Sequence, residues 1–249
     1  MADKTKAERP VTVWERPERG ARGPAPERSR AQITKAAIEL ADQEGLNALS
    51  LRALAKRLGT GPASLYRYVS GRDDLLDLMA DAVAGEIDLG VPLDGDPVTD
   101  LANLAVRAKA VYLRHPWLAE LAPEPLRAGP NGLSYLDRAL EALEPSGLSG
   151  QAAVETVAIM SALVTLFAQT ELQRHRTPTG RQVAQAVYLT GAASSGHYPR
   201  LATALAGGAP EDLLADPDAL FVRVIRQVLT GLIDRTPEEP EHPHRSHAT

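Results

Sequence analysis

Residues 50–72 read SLRALAKRLGTGPASLYRYVSGR and predict two short helices joined by a tight glycine turn. Ser50 is a favourable N-cap for the first helix. The turn falls at Gly59-Thr60-Gly61, because glycine readily adopts the left-handed conformation that ends a helix. Pro62 suits the first position of the second helix, where its missing N–H is not needed. Three leucines at helical spacing give the first helix an apolar face: Leu51, Leu54 and Leu58.

The second short helix has two different faces. Leu65 and Val69 lie one turn apart and are expected to pack inward. Ala63, Ser64 and Arg67 share another face, which is short and polar. Such a face is what a helix needs in order to enter the major groove of DNA.

The charge of the chain is unevenly distributed. The 249 residues carry a net charge of −5, but residues 1–72 contain 14 Lys and Arg against 8 Asp and Glu. The remaining residues contain 13 Lys and Arg against 24 Asp and Glu. A basic head on an acidic body suggests binding of a polyanion by the head. A chance excess of basic residues on a solvated tail is the alternative.

Several classes of function are disfavoured by what the sequence lacks. It has no cysteine, no glycine-rich phosphate loop and neither an HExxH nor a GxSxG motif, so we expect no enzyme. No apolar run reaches about 18 residues, and the N-terminus has no apolar signal segment. We therefore expect a cytoplasmic protein without a membrane span. His242, His244 and His247 lie in a polar tail, so we expect neither a metal nor another cofactor.

The pattern of the whole chain is helical, without strand-like alternation. We predict an all-α protein with a flexible basic arm (1–28), a head with a linking helix (29–88), a larger helical body (97–235) and a disordered tail (236–249). Arginines of the arm and of the first helix are candidates for phosphate contacts, or form a solvated leader: Arg16, Arg19, Arg22, Arg28 and Arg30. The predicted helices are Arg30–Glu44, Ser50–Leu58, one from Pro62, Asp73–Asp88, Val98–Arg114, Leu133–Leu143, Gly150–Arg176, Gln182–Thr190, Tyr198–Ala206 and Ala219–Asp234.

The longest helix contains a polar stripe. Val157–Ala168 is apolar on nearly every side, which predicts burial on nearly every side. Ser161 and Thr165 align one turn apart, and Gln169 extends the stripe. One interpretation is that the stripe orients a ligand in a cavity. The alternative is that the hydroxyls hydrogen-bond to carbonyls of their own helix.

The head resembles the TetR family of bacterial transcriptional regulators. The resemblance is carried by the helix Arg30–Glu44, the helix Ser50–Leu58 and the segment Ser64-Leu65-Tyr66-Arg67-Tyr68-Val69. Arg72-Asp73-Asp74-Leu75-Leu76 continues it. The body resembles the tetracycline-repressor-like C-terminal domains through His115-Pro116-Trp117 and Gly129-Pro130-Asn131-Gly132.

The resemblance implies a homodimer that reads a near-palindromic operator of double-stranded DNA. It assigns Arg52 to a guanine, Tyr68 and Arg72 to the DNA backbone, and Tyr66 either to DNA or to packing between helices. The full set of DNA-binding candidates is Arg52, Thr60, Ala63, Ser64, Tyr66, Arg67, Tyr68 and Arg72.

The resemblance also implies a small-molecule effector site in the body and a dimer interface made by the longest and the last helix. The magnesium of the tetracycline repressor is not carried over, because its ligand residues have no match here. The effector-site candidates are Tyr112, His115, Trp117, Tyr135, Met160, Ser161, Thr165, Phe167 and Gln169. In the alternative, the bulky residues among them belong to the core and His115 caps a helix end.

We therefore expect a homodimeric DNA-binding regulator, a repressor released by an effector. Two alternatives stay open. One is a small-molecule carrier whose head does not bind an operator, and the other is a transcriptional activator.

Overall fold

The computed structural model describes residues 11–16, 28–121, 129–174, 177, 179–206 and 216–234. These residues form α-helices and short 3₁₀ segments and no strand, which confirms the predicted all-α fold. Arg19, Arg22 and the predicted tail 236–249 lie outside the described residues. The helices are α1 (Arg30–Glu44), α2 (Leu51–Arg57), α3 (Pro62–Leu65), α4 (Arg72–Ala84), α5 (Pro97–Arg114), α6 (Pro130–Leu143), α7 (Gly150–Arg174), α8 (Gly180–Ser194), α9 (Pro199–Ala206) and α10 (Pro217–Ile233).

Polar caps begin several helices where the sequence predicts them or nearby. Ser29 and Gln32 form a capping box at α1, and the Ser50 hydroxyl accepts the Ala53 amide at α2. Thr179 caps α8 earlier than predicted, so that helix begins at Gly180. The same helix continues to Ser194, although a break was predicted from Gly191 onward.

The head has its own hydrophobic core. Leu54, Leu65, Leu75 and Met79 are fully buried in it, together with residues of α1. Val111 and Trp117, which lie outside the predicted head, belong to the same cluster. The head therefore packs directly on the corner formed by the end of α5 and the 3₁₀ segment Pro116–Glu120.

The body is built around α5, α7 and α10. Leu101, Met160, Phe221 and Ile225 are among its large, fully buried side chains, and α6 covers one side. Within the described residues, α7 is the one helix long and apolar enough to cross a membrane by length and composition, with a mean hydropathy of 1.6. The core helix of a soluble protein meets the same criterion.

The linking helix α4 ends at Ala84 rather than near Asp88. Gly85 caps it, and its amide donates to the Asp81 carbonyl at 3.1 Å. A Cβ on Gly85 would lie 3.0 Å from the Asn131 side chain, so the end of α4 lies against the start of α6. The linking helix is therefore held between the head and α6.

Candidate DNA-binding surface and effector site

The glycine turn and the short α3 present the candidate DNA surface. Gly59 has a φ of +64°, the left-handed conformation predicted for this turn. Leu65 and Val69 are each 1% exposed, which confirms that they pack inward. Helix α3 is only one turn long. Its position on the head therefore depends mainly on the burial of Leu65 at its end and of Val69 just after it.

Most of the predicted DNA-binding side chains face solvent. Tyr66 is 59% exposed, so it does not pack between helices of this chain. Arg52 lies on α2 beside Thr60 and Pro62, in a shallow groove between α2 and α3. The exposed candidates are Arg52, Ala63, Tyr66, Arg67 and Arg72.

Thr60 and Ser64 are half-buried and hold the start of α3. The Ser64 hydroxyl donates to the Gly61 carbonyl at 2.7 Å and lies 2.7 Å from the Thr60 hydroxyl. Their polar atoms therefore have partners within the turn, and a DNA contact by either residue stays a prediction.

Tyr68 and Arg72 have structural roles that the sequence did not reveal. Tyr68 is only 8% exposed and its side chain belongs to the head core, and its contact with the DNA backbone stays a prediction. The Arg72 guanidinium donates to the carbonyls of Leu46, at 2.9 Å, and of Leu49. Arg72 thus stabilises the segment that leads into α2, although Arg72 as a whole is exposed to solvent.

The surface is electropositive. Residues 50–72 contain five basic residues and no acidic one. Arg57 points toward α1, where it donates to Gln43 at 3.0 Å and lies 3.8 Å from Glu39. Arg52, Lys56 and Arg67 are exposed in the same segment, and exposed basic side chains attract phosphates.

Three of the predicted effector residues meet inside the body. Tyr112 lies on α5, Tyr135 on α6 and Ser161 on α7. Burial raises the pKa of the Tyr135 hydroxyl, a hydrogen bond with Ser161 acts in the opposite direction, and nearby Tyr112 raises the pKa further. The three hydroxyl groups therefore form one polar cluster among apolar side chains.

Four other effector candidates are engaged elsewhere in the body. Met160 is fully buried in the core, and the Phe167 ring packs edge-on against Phe221 at 5.2 Å. The Thr165 hydroxyl donates to the Ser161 carbonyl at 3.1 Å, as in the interpretation that it bonds to its own helix. The Gln169 amide donates to the Ala119 carbonyl at 2.6 Å, which ties α7 to the 3₁₀ segment.

His115 and Trp117 contact the head, and their assignment to the effector site stays a prediction. His115 Nδ1 lies 2.9 Å from Asp42 Oδ1, and its Nε2 lies 3.3 Å from the Glu86 carboxylate. The Trp117 indole donates to Asp42 at 2.8 Å. Both side chains are nearly fully buried, so they join the body to α1 and to the end of α4.

Lys109 is a buried charge that sequence reasoning missed. Its ammonium lies 2.7 Å from Glu171, 2.6 Å from Asp218 and 5.0 Å from the centre of the Phe221 ring. It therefore joins α5 to α7 and α10. The signal was present, because Lys109 continues the apolar face of Leu101 and Ala105 at spacings of four residues.

Asp81 joins α4 to α6 and was also missed. Its carboxylate accepts the Gly132 amide at 2.9 Å and the Asn131 side-chain amide at 3.2 Å. Asn131 also donates to the Asp81 carbonyl at 3.1 Å. A carboxylate at the start of a helix is favoured by the helix dipole. We call this arrangement the α4–α6 joint.

Comparison with known proteins agrees with this architecture. Residues 33–79 match the family "Bacterial regulatory proteins, tetR family", and residues 91–235 match "Tetracyclin repressor-like, C-terminal domain". The HTH-type transcriptional repressor DrrR1 of Streptomyces coeruleorubidus is 35% identical over 202 residues, covering 77% of this chain and 74% of that protein. An HTH-type transcriptional regulator of Saccharopolyspora erythraea is 36% identical over 225 residues, covering 90% and 92%.

A solved structure has the same fold. The TetR family protein ActR of Streptomyces coelicolor, in complex with actinorhodin, superimposes with a TM-score of 0.70 at 30% identity, covering 84% of this chain and 97% of ActR. The chain belongs to the TetR family. It is a DNA-binding transcriptional regulator with a helix-turn-helix head and a helical C-terminal domain.

Proposed function

We propose that this chain is a cytoplasmic, homodimeric repressor that leaves a near-palindromic operator when a small aromatic molecule binds in its body. The observation that carries operator binding is the exposure of Tyr66 and Arg67 on α3, beside Arg52 on α2. An arginine in the major groove can bond O6 and N7 of guanine together. The absence of acidic residues between 50 and 72 favours the phosphates.

The effector site in this proposal is the Tyr112–Tyr135–Ser161 cluster. Two phenol rings and a hydroxyl from three helices can stack on an aromatic molecule and hydrogen-bond to its oxygens. The binding of actinorhodin by ActR supports an aromatic ligand. The proposal concerns the class of ligand and not actinorhodin itself.

The route from effector to DNA runs through α6. Tyr135 follows Asn131 by four residues, so both lie on the same side of α6. Asn131 bonds to Asp81 of α4. This helix directly follows the recognition loop, residues 66–71, which connects α3 to α4. An effector that shifts α6 would shift α4 and thereby change the separation of two DNA-binding heads. The effector must bind the DNA-free arrangement more tightly to do so.

The dimer in this proposal is formed by α7 and α10. Val154, Ala158, Ala162 and Leu166 are exposed at spacings of four residues, which gives α7 an apolar outer stripe. A second copy of the chain would bury this stripe, as the family relationship implies.

One experiment separates this proposal from its alternatives. Purified full-length protein is used to select duplexes from a randomised 30-base-pair library, and the winning duplex is titrated by fluorescence anisotropy at several salt concentrations, with and without actinorhodin. We expect tight, sequence-selective and salt-dependent binding by two protein copies, weakened by the aromatic ligand. Binding of actinorhodin without any selected duplex would indicate a carrier. A reporter gene behind the duplex then distinguishes repression from activation.

A further inference from the structure

Residues 11–16, with the sequence VTVWER and here called the N-terminal strap, form a hydrogen-bonded turn against the head. The Glu15 amide donates to the Thr12 carbonyl at 3.2 Å, and the Thr12 amide donates to the Glu15 carboxylate at 3.0 Å. Val13 is 1% exposed. These residues lie within the arm that was predicted to be flexible, and the burial of Val13 and the contact of Arg16 with Asp74 place them against the head.

Arg16 fastens one end of the strap to the recognition loop. Its guanidinium contacts both carboxylate oxygens of Asp74, at 2.6 and 3.0 Å, and donates to the Ser70 hydroxyl. The Ser70 amide donates to the same Asp74 carboxylate at 2.6 Å. Paired contacts of this kind restrict orientation as well as distance. Arg16, a candidate for phosphate contacts or part of a solvated leader, therefore pairs with Asp74 of α4.

Arg30 fastens the same end from the other side. It donates to the Arg16 carbonyl at 2.9 Å and to the Tyr68 carbonyl at 3.2 Å. Tyr68 and Ser70 lie directly after the exposed Tyr66 and Arg67. The strap and Arg30 thus contact the segment that directly follows Tyr66 and Arg67, the candidate DNA-reading residues.

Trp14, two residues before Arg16, contacts the α4–α6 joint. A Cβ on Gly129 would lie 2.4 Å from the indole atom Cζ2 and 2.5 Å from the carboxyl carbon of Asp81. Only a glycine leaves room for the indole there, although the φ of Gly129, −91°, suits any residue. The indole and the Asp81 carboxyl group therefore lie next to the same glycine, and that carboxylate accepts the Gly132 amide.

We propose that the N-terminal strap is a positioning element that fixes the recognition loop relative to the α4–α6 joint. Asp74 and Asp81 are seven residues apart on α4, about 10 Å along the helix axis. Arg16 binds Asp74 at one end of this distance, and Trp14 lies against Gly129 beside Asp81 at the other. DNA affinity and effector response then depend on residues that contact neither DNA nor effector. This inference rests on the proposed function.

The test uses full-length Trp14→Ala, Arg16→Gln and Gly129→Ala, with Val11→Ala as a matched control because the Val11 side chain is 45% exposed. We expect Trp14→Ala and Gly129→Ala each to weaken binding of the selected duplex about tenfold and to reduce the effector-induced change in affinity, within the range of ordinary allosteric coupling. The double variant Trp14→Ala/Gly129→Ala should be less impaired than the sum of the two single variants, because removal of the indole relieves one of the two close contacts of a Cβ at residue 129, whereas the contact with Asp81 remains.

Hydrogen exchange at the Gly132 amide provides a second readout that does not need DNA. Loss of Trp14 should accelerate exchange there, and Val11→Ala should not. Unchanged exchange in Trp14→Ala would overturn the strap, as would DNA and effector affinities equal to those of Val11→Ala. If the wild-type chain binds no duplex, the proposed function fails, whereas the exchange measurement still decides whether the strap holds the joint.

Discussion

The Asp42 carboxylate of α1 lies 2.9 Å from His115 Nδ1, at the end of α5, and joins the DNA-binding head to the body. The same carboxylate accepts the Trp117 indole N–H at 2.8 Å. One acidic side chain thus satisfies two nearly fully buried donors that come from the other domain.

Replacement of this carboxylate should weaken the contact between head and body. We expect Asp42→Ala to lower the free energy of unfolding by about 2–3 kcal/mol, because two buried polar groups lose their partner. Asp42→Asn keeps one acceptor oxygen, so its free energy of unfolding should lie between those of the wild type and Asp42→Ala. Glu44→Ala, on an exposed position of the same helix, is the control in urea titrations. Equal losses for Asp42→Ala and Glu44→Ala would contradict the proposed importance of this contact.

Arg67 and Arg72 should affect DNA binding in different ways. Arg67→Ala should relax the preference for particular bases, whereas Arg72→Ala should weaken all sequences and reduce the salt dependence of binding. Arg72→Ala should also lower the melting temperature, because two carbonyls before α2 lose their donor. Arg72→Lys keeps the charge without the paired contact and separates the two effects. An unchanged operator affinity in both alanine variants would exclude this surface.

The hydroxyl cluster of the body should control the effector response. We expect Tyr135→Phe and Ser161→Ala to weaken release of DNA by the effector about fivefold, the value of one hydrogen bond. Thr165→Val is the matched control, since the Thr165 hydroxyl bonds to its own helix. Ligand titrations of the DNA complex measure the response. If these variants lowered the melting temperature but left the effector-induced release of DNA unchanged, the cluster would have only a structural role.

Asp74 should make the stability of the head depend on acid. Burial would raise its pKa, but hydrogen bonds from Arg16 and the Ser70 amide outweigh burial and hold the pKa below its ordinary value. A lowered carboxyl pKa adds stability above the unfolded-state value, about 3.9, and that stability is lost as the pH falls through the folded-state value. Asp74→Asn should therefore destabilise the protein at pH 7 and much less at pH 2. Asp73→Asn is the control in both titrations, and a penalty that does not depend on pH would contradict the argument.

Lys109 should be a major source of stability in the body. Lys109→Ala should lower the free energy of unfolding by about 3–5 kcal/mol, because Glu171 is left without its buried counter-charge. Adding Glu171→Gln should restore part of the loss. The exposed Lys35→Ala is the control, and similar losses for Lys35→Ala and Lys109→Ala would argue against the buried pair.

The contribution of Lys109 to stability should also depend on pH, but only under alkaline conditions. Burial alone would lower the pKa of Lys109, but its bonds to Asp218 and Glu171 raise it above the ordinary value. A raised lysine pKa gives stability that is complete below about pH 10.4 and is lost only as the pH rises through the folded-state value. The difference between wild type and Lys109→Ala should therefore be constant from pH 7 to pH 10. Unfolding titrations across that range measure it, and a decline that begins near neutral pH would contradict the assignment.

Local signals in the sequence were sufficient for the helices of the head. Ser29 and Ser50 cap them, Gly59 makes the left-handed turn, and Leu65 and Val69 pack inward, as predicted. Each of these features depends on residues only a few positions apart. Helix ends were less accurate where a tertiary contact stops the helix, as at Gly85 beside Asn131.

The sequence by itself therefore determined the class of fold, the helix-turn-helix and the exposure of Arg67, but it left open whether Tyr66 is exposed. The tertiary structure alone decided that Arg16 binds Asp74, that His115 and Trp117 bind Asp42, and that Lys109 binds Asp218. Those partners are 58 to 109 residues apart in the chain. Helical periodicity reports only which side of its own helix a residue occupies. Which helix covers that side is decided by the packing of the whole chain.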